Sequence, residues 1–149
     1  MKRSRYVKLA AGLGIILLLV TACAAQPAAA PQAAGRRISV EGGSYTAVEP
    51  AELASMLQQK NFPLINVHIP YEGELANTDA FIPYDQIEQN LAKLPADKNA
   101  RVVLYCRSGR MSEIAAKALV KQGYTDIWDL QGGMVAWEAA GNAVLHNPQ

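Results

Sequence analysis

Cys106 is the residue of this 149-residue chain best placed for chemistry. It follows residues 101–105, a short apolar run rich in β-branched side chains, which predicts a buried strand. A polar loop comes next, and from Ser112 an apolar pattern at helical spacing predicts a helix. The cysteine is therefore expected between the carboxyl end of a strand and the amino end of a helix, the crevice where open α/β sheets bind ligands.

The loop residues have the types that a reactive sulfur needs. The first N–H groups of a helix have no intrahelical partner, so a thiolate or persulfide placed there is stabilised and nucleophilic at neutral pH. Arg107 and Arg110 would attract and hold an anionic sulfur donor. Gly109 lets the loop curl so that its amides converge, and Ser108 and Ser112 could donate hydroxyls to the sulfur or cap the helix.

Two residues have a structural interpretation beside the functional one. Cys106 could be a buried core residue, since free cysteines are commonly buried, but the four residues after it are polar or glycine and favour a functional thiol. His68 ends an earlier predicted strand and could bind substrate or adjust the thiol. A single histidine at a strand end is more often a structural group.

The first 22 residues predict an export signal. Four Lys and Arg residues lie in positions 1–8, and the apolar positions 9–20 are too short for a membrane span of roughly 17 to 25 residues. Val20-Thr21-Ala22-Cys23 resembles the lipobox of bacterial lipoproteins, in which the cysteine is lipidated and becomes the first mature residue. An ordinary secretory signal cleaved nearby and an uncleaved anchor are the alternatives.

The lipobox resemblance implies an exported protein held at the bacterial cell envelope by lipid on Cys23. The anchor would lie at the outer face of the plasma membrane, or at an outer membrane where the cell has one. Residues 23–37 are rich in Ala, Pro and Gln and predict a disordered tether. Residues 38–145 predict one folded domain, which should start between Ile38 and Tyr45, and residues 146–149 a tail.

Charge and cysteine content limit the partners. Cleavage of the signal would remove four of the fourteen Lys and Arg residues, leaving ten against thirteen Asp and Glu, a net charge near −3. This balance disfavours nucleic acid and anionic lipid surfaces as partners. The chain has two cysteines, so with Cys23 linked to lipid, Cys106 would be the only free thiol of an exported protein.

Predicted strands and helices alternate along the folded segment. Strands are predicted at 45–48, 63–68, 101–105 and 126–130, and helices from 49, from 85, from 112 and from about 133. Positions 69–84 lack periodicity and predict a long loop, which is often functional in a compact domain. Asp85 and Glu88 resemble a capping box at the start of the second helix. A strand followed by a helix four times over predicts an α/β fold with a parallel sheet flanked by helices.

Two motifs resemble those of the rhodanese family of sulfurtransferases. Cys106-Arg107-Ser108-Gly109-Arg110-Met111-Ser112, at a strand-to-helix junction, looks like the family's active-site loop. Residues 129–137, followed by Gly141, are similar to its Gly-Gly, aromatic and Gly signature, and residues 63–83 occupy the place of its first motif. The resemblance covers residues 45 to 143.

The resemblance implies a rhodanese-like fold, a parallel sheet of about five strands with helices on both faces. It implies that Cys106 accepts sulfane sulfur from thiosulfate, a persulfide or a polysulfide and passes it, as a persulfide, to a thiophilic acceptor. The outer sulfur would be held by the six loop residues Arg107, Ser108, Gly109, Arg110, Met111 and Ser112. Partners would be small sulfur-containing anions or thiols, or a protein that gives or takes sulfur. Members of this family need no metal and no organic cofactor.

Three positions depart from the family pattern. Typical members have Asp-Val-Arg where this chain has Asn66-Val67-His68, and Gly-His-Ile where it has Phe81-Ile82-Pro83. Many members place an arginine where this chain has Met111. A permanent cation is thus replaced by a mostly neutral histidine. These differences bear on the identity of the sulfur donor.

Other functions fit the loop less well. Cysteine phosphatases and arsenate reductases place five residues between the cysteine and an arginine that clamps the oxyanion, and that position here is Ser112. A thioredoxin-like role would normally use Cys-x-x-Cys, which is absent from the sequence. A non-catalytic rhodanese-like module, which binds a partner, carries sulfur or senses oxidants at Cys106, remains the main alternative to an enzyme.

Overall fold

A computed structural model describes residues 35–146. The predicted signal peptide, Cys23 and nearly all of the predicted tether lie outside the described residues, as does the end of the predicted tail. The chain forms eight strands in this range, namely β1 Arg36–Val40, β2 Gly43–Val48, β3 Leu64–Asn66, β4 Glu74–Leu75, β5 Ala80–Phe81, β6 Val102–Tyr105, β7 Ile127–Leu130 and β8 Val144–Leu145.

Six of these strands form the central sheet, in the order β1-β2-β7-β6-β3-β5. Five neighbouring strands of this sheet run parallel to one another, in the order β2, β7, β6, β3 and β5. β1 pairs antiparallel with β2 at the edge of the sheet. β4 and β8 form a separate antiparallel pair. The predicted α/β class with a parallel sheet is confirmed, with one antiparallel strand added.

Helices cover both faces of the sheet. α1 (Pro50–Leu57) and α3 (Gly133–Ala139) bury Leu53, Met134 and Trp137 in the apolar cluster of one face. α2 (Arg110–Lys121) buries Ala115 and Leu119 in the cluster of the other face. Tyr84 and Leu91, from the two 3₁₀ helices Tyr84–Gln86 and Glu88–Lys93, are partly buried against this cluster. None of the helices in residues 35–146 has the length and apolar character to cross a membrane.

The centre of the sheet explains why β6 and β7 are continuous apolar runs. All four residues of each strand are buried, because helices cover both faces of a parallel sheet. Tyr105 pairs with Asn66 and Leu104 with Asp129, so the carboxyl ends of β3, β6 and β7 meet at one edge. The loops that follow these strands, including the Cys106 loop, therefore come together.

The edges of the domain differ from the prediction. β1 begins at Arg36, two residues before the predicted boundary, and His146 of the predicted tail contacts the carbonyl oxygen of Glu72. The predicted loop 69–84 contains β4 and β5, and the predicted helix from residue 85 is 3₁₀. No side chain caps those 3₁₀ helices; the capping box is instead at α1, between Glu49 and Glu52.

α3 packs its first turn directly on the chain that leaves β6. The amide of Met134 donates to the carbonyl of Cys106 at 2.9 Å, and the amide of Val135 donates to that of Arg107 at 3.0 Å. Gly133 makes this approach possible. A Cβ atom at Gly133 would lie 2.2 Å from the Cys106 carbonyl oxygen, and the φ of Gly133 is +58°.

Gly133→Ala should therefore destabilise the fold more than an alanine at Gly141. Both glycines have positive φ, which costs alanine about 1 to 2 kcal/mol, but a Cβ at Gly141 meets nothing within 4 Å. Gly133→Ala must also move backbone, so we expect it to lose at least about 2 kcal/mol more. Urea unfolding of the full chain, followed by tryptophan fluorescence, measures the difference; equal losses would contradict this account of the α3 contact.

Candidate active site

The Cys106 sulfur lies at the junction of β6 and α2, with the residue only 1% exposed. The backbone amide of Gly109 donates to Sγ at 3.1 Å. Gly109 is the N-cap residue of α2, with φ +89°, so the loop turns in a left-handed conformation that favours glycine. The sulfur thus belongs to an apolar cluster and also faces the amino end of a helix, where negative charge is stabilised.

Ser112 approaches the same sulfur from the first turn of α2. Its Oγ is 3.6 Å from Cys106 Sγ and 3.1 Å from the carbonyl oxygen of Gly109, and the residue is completely buried. A hydroxyl has one proton and can donate to one of these acceptors at a time. Ser112 is therefore a direct neighbour of the thiol, whereas Arg107, Ser108 and Arg110 are exposed.

The buried side chain of Asn66 shapes the loop after β3. Its Nδ2 donates to the carbonyl of Gly73 at 2.9 Å, and its Oδ1 accepts from the amide of His68 at 3.0 Å. The amide side chain donates and accepts at once, which an ionised aspartate in this position cannot do. The difference from the family pattern at position 66 thus has a structural role here, closing residues 66–73 into a compact loop.

His68, Glu72 and Arg107 meet beside the Cys106 loop. Glu72 Oε2 lies 3.0 Å from Arg107 Nε and 3.2 Å from His68 Nε2. The histidine contact is close enough for ionic attraction when the ring is protonated, but it lacks hydrogen-bond geometry. On its other side the His68 ring places Nδ1 3.3 Å from Met111 Sδ. His68 is therefore linked to the loop through Met111 and Glu72, and within residues 35–146 no hydrogen bond joins it to Cys106 Sγ.

The charge of the loop is lower than its sequence indicates. Arg107 is paired with Glu72, while within residues 35–146 no ion pair includes Arg110. The exposed Arg107–Glu72 pair contributes little to stability but neutralises one of the two predicted cations. Backbone amides and Arg110 remain to stabilise an anion at the loop.

A cavity of about 310 Å³ lies next to Arg107. Met134, Val135 and Val144 give it apolar walls, and its other lining residues are Glu72, Arg107, Glu138 and His146. An organic molecule with an apolar part fits this lining better than a small inorganic anion does. Within the described residues, no group of three or more His, Cys, Asp and Glu side chains could hold a metal ion.

Two buried polar residues near the site were not singled out from the sequence. The Tyr105 hydroxyl accepts from the amide of Leu75 at 3.0 Å and lies 2.6 Å from Thr78 Oγ1, which fixes the loop after β3. Burial raises the pKa of Tyr105 to about 12. Asp129 of β7 is 1% exposed, and its Oδ1 has no hydrogen-bond partner. An aspartate inside an otherwise apolar strand was a signal available in the sequence.

The environment of Asp129 disfavours its ionised form. Burial raises the pKa of Asp129 to about 7, the Ser112 hydroxyl acts in the opposite direction by hydrogen bonding, and the charge of Glu113 raises the pKa further. A carboxyl group whose pKa is raised to near neutrality thus lies buried in β7, opposite Leu104 of the strand that leads to Cys106.

Comparison with known proteins identifies relatives of this chain. The family model for the rhodanese-like domain matches residues 49–140. The chain is 39% identical over 104 residues to a probable adenylyltransferase/sulfurtransferase of Mycobacterium tuberculosis, a match that covers 66% of this chain and 26% of that protein. It is 38% identical over 64 residues to a sulfurtransferase of Allochromatium vinosum, covering 43% of this chain and 58% of that one.

A solved structure has the same fold. The crystal structure of a rhodanese-like domain protein from Staphylococcus aureus matches with a TM-score of 0.57 and 26% identity, covering 69% of this chain and 98% of that chain. The match thus spans nearly all of the Staphylococcus aureus structure but only about a quarter of the mycobacterial relative. The predicted rhodanese-like fold is confirmed.

Asp129→Asn should change how the stability of the protein depends on pH. Because the pKa of Asp129 is raised to about 7, the folded state binds more protons than the unfolded chain from about pH 4 to pH 7. Stability is therefore lost through this group as pH rises across that window. We expect the variant to match wild type near pH 4 and to gain up to about 4 kcal/mol relative to it by pH 8.

Urea unfolding of both full chains at a series of pH values measures this difference. The other titrating groups contribute equally to the pH dependence of both proteins, so their contributions cancel in the difference. A stability difference that stays constant from pH 4 to pH 8 would mean that Asp129 titrates normally in the fold.

Proposed function

Because the chain belongs to the rhodanese-like domain family, we propose that it is a sulfurtransferase that carries sulfane sulfur as a persulfide on Cys106. The observation that carries the proposal is the Gly109 amide, which points at Cys106 Sγ from 3.1 Å at the amino end of α2. A sulfur anion is the group that this arrangement stabilises. The names of the Mycobacterium and Allochromatium relatives support the same class of reaction.

The transfer takes place in two displacement steps. The Cys106 thiolate attacks the sulfane sulfur of the donor, a new S–S bond forms, and the donor's own bond to that sulfur breaks with its electron pair on the leaving group, sulfite in the case of thiosulfate. A thiophilic acceptor then attacks the outer sulfur, and the Cys106 thiolate leaves. Each step exchanges one bond to sulfur for another, so neither an external oxidant nor a metal is needed.

The charges around the Cys106 loop determine how strongly an anionic sulfur donor is attracted. Arg107 is neutralised by Glu72, and His68 stands where the family pattern has a permanent cation. Attraction of a doubly charged donor such as thiosulfate therefore depends mainly on Arg110 and the loop amides. The mixed lining of the 310 Å³ cavity supports an organic persulfide, a polysulfide or a thiol as one of the two partners in exchange.

A phosphatase function is opposed by the position of Ser112. An oxyanion clamp needs an arginine at this place in the loop, whereas Ser112 is buried with its hydroxyl beside Cys106 Sγ. The burial of Cys106, at 1% exposed, favours a second candidate function, a non-catalytic module that carries sulfur or senses oxidants without multiple turnover.

Mass spectrometry and a turnover assay separate these functions. The chain has two cysteines, so in the full chain with Cys23→Ala the thiol of Cys106 is the only one. Treated with thiosulfate or polysulfide, this protein should gain the mass of one sulfur, and with cyanide it should release thiocyanate. Adding Cys106→Ala should abolish the gain and lower the rate of thiocyanate formation at least about 10³-fold, because the nucleophile is lost.

Each result of this experiment has a defined meaning. A mass gain without repeated turnover would support the carrier or sensor module over the enzyme. A protein that folds, as judged by circular dichroism, yet gains no sulfur on Cys106 from either donor would overturn the sulfurtransferase proposal.

We also propose that the protein is exported and anchored to the cell envelope by lipid on Cys23. The support is the order of the first 23 residues, a basic segment, an apolar segment and Val20-Thr21-Ala22-Cys23. These residues lie outside the described part of the structure.

Fatty-acid labelling of bacterial cells tests the anchor. Wild type and Cys106→Ala should incorporate a labelled fatty acid and sediment with membranes, because both keep Cys23. Cys23→Ala should lose the label, because a thioether-linked lipid requires the thiol of this residue. Label on the Cys23→Ala protein, or its absence from wild type, would contradict the proposal.

A further inference from the structure

The cavity of about 310 Å³ lies directly beside the Cys106 loop. Arg107, the residue after Cys106, forms part of its lining. Met134 and Val135 line it too, and their amides donate to the carbonyls of Cys106 and Arg107 at 2.9 and 3.0 Å. The cavity is therefore placed to receive the rest of a molecule whose sulfur reacts at Cys106.

The side chains of this lining carry a net charge of −1 when His146 is neutral, because Glu72 and Glu138 each contribute −1 and Arg107 contributes +1. A negative surface raises the free energy of binding an anion in proportion to the charge of that anion. The lining therefore disfavours a doubly charged donor such as thiosulfate more than a singly charged one.

Apolar side chains complete the wall of the cavity. Val135 is 52% exposed although it is a large apolar residue, and Met134 and Val144 line the same cavity. Ligand sites are lined mainly by apolar side chains, with a few polar groups that set the orientation of the ligand. An organic group carried on the donor sulfur would cover Val135 and remove its side chain from water. Thiosulfate has no such group.

The segment that carries Glu72 is held in place from two sides. The carbonyl of Gly73 accepts from Asn66 Nδ2 at 2.9 Å, and the carbonyl oxygen of Glu72 lies 3.1 Å from His146 Nδ1. Gly73 has φ +129°, and a Cβ atom there would lie 2.8 Å from Val144 Cγ1, so glycine allows β8 to approach this closely. The fold thus fixes the position from which the Glu72 side chain extends.

The Glu72 carboxylate is shared between two residues beside the cysteine. Its Oε2 lies 3.0 Å from Arg107 Nε and 3.2 Å from His68 Nε2. The Glu72 and Arg107 side chains are 40% and 60% exposed, so their pairing contributes little to stability and its loss should leave the fold intact. The charge next to Cys106 does change with this pairing, because one carboxylate offsets one guanidinium.

We propose that Glu72 is a specificity-determining residue which, by offsetting the charge of Arg107 in the cavity wall, makes the protein select a singly charged organic sulfur donor over doubly charged thiosulfate. The organic group of that donor contacts Val135. The inference rests on the proposed function, because it concerns the donor of the same transfer.

Two donors that differ by one charge test this selection in the full chain with Cys23→Ala. Thiosulfate carries two negative charges, and benzenethiosulfonate carries one together with a phenyl group. In both cases the Cys106 thiolate attacks the sulfane sulfur, the S–S bond of the donor breaks, and its electron pair leaves with sulfite or benzenesulfinate. Values of kcat/KM are measured for each donor with cyanide as the acceptor.

Glu72→Gln keeps the length of the side chain and removes its charge. The ratio of kcat/KM for thiosulfate to that for benzenethiosulfonate should rise about fourfold, because a unit charge about 7 Å away has an effect of this size near a protein surface. High salt should reduce the change, since both side chains are partly exposed.

Arg107→Gln removes the opposite charge and should lower the same ratio. The double variant restores the charge balance of wild type, so its ratio should return to within about twofold of the wild-type value. Val135→Thr replaces a methyl group by a hydroxyl and should lower kcat/KM for benzenethiosulfonate about threefold more than for thiosulfate.

Glu41→Gln is the matched control for Glu72→Gln. Glu41 is also an exposed carboxylate in an ion pair, 2.8 Å from Lys121 at the other end of α2. Its removal changes the net charge of the protein equally, but at a distance where salt screens the interaction, so the donor ratio should stay within about 1.5-fold of wild type.

Alkylation of Cys106 measures the charge effect without sulfur transfer, because it needs only the thiolate. Glu72→Gln should raise the rate with iodoacetate, which is singly charged, about fourfold relative to neutral iodoacetamide. If this shift occurs but no donor loads sulfur on Cys106, the sulfurtransferase proposal is wrong while Glu72 still selects by charge. Unchanged ratios for both pairs of reagents in Glu72→Gln, or an equal change in Glu41→Gln, would overturn the inference.

Discussion

The candidate active-site loop after β6 depends on two hydrogen bonds made by the first turn of α3. The amides of Met134 and Val135 lie in the first turn of α3, where helix amides have no intrahelical acceptor. The carbonyls of Cys106 and Arg107 follow the end of β6 and accept hydrogen bonds from these two amides. With these carbonyls held towards α3, the chain turns and the Gly109 amide faces the sulfur. Gly133 serves this contact, since a side chain there would meet the backbone of the loop.

The net charge beside the Cys106 sulfur is also reduced by contacts between loops. Asn66 closes the loop after β3 with a neutral amide, and this loop brings Glu72 to Arg107. A carboxylate thereby offsets one of the two cations next to the cysteine. The sulfur anion that the proposed transfer requires would then be stabilised chiefly by the fixed dipoles of backbone amides, which are already oriented and cost little reorganisation when a charge forms.

The parts of the fold that are predictable from sequence are those with a local signal. β6 and β7 are buried on both faces and read as apolar runs, and the helical spacing after Ser112 places Cys106 at the strand-to-helix junction. β1 is an edge strand with exposed side chains, and β4 and β5 have two residues each, so none of them has a periodic pattern. The contact of Glu72 with Arg107 depends on the path of a loop that distant residues, Tyr105 among them, hold in place.

Burial opposes a negative charge on Asp129 in β7. Asp129 is 1% exposed and has no ion pair among residues 35–146, so its negative charge would repel a nearby anion far more strongly there than in water. Burial therefore raises the pKa of Asp129 to about 7, and the carboxyl group is mainly neutral below that pH. In the neutral form it adds no negative charge to the centre of the sheet, next to the strand that leads to Cys106.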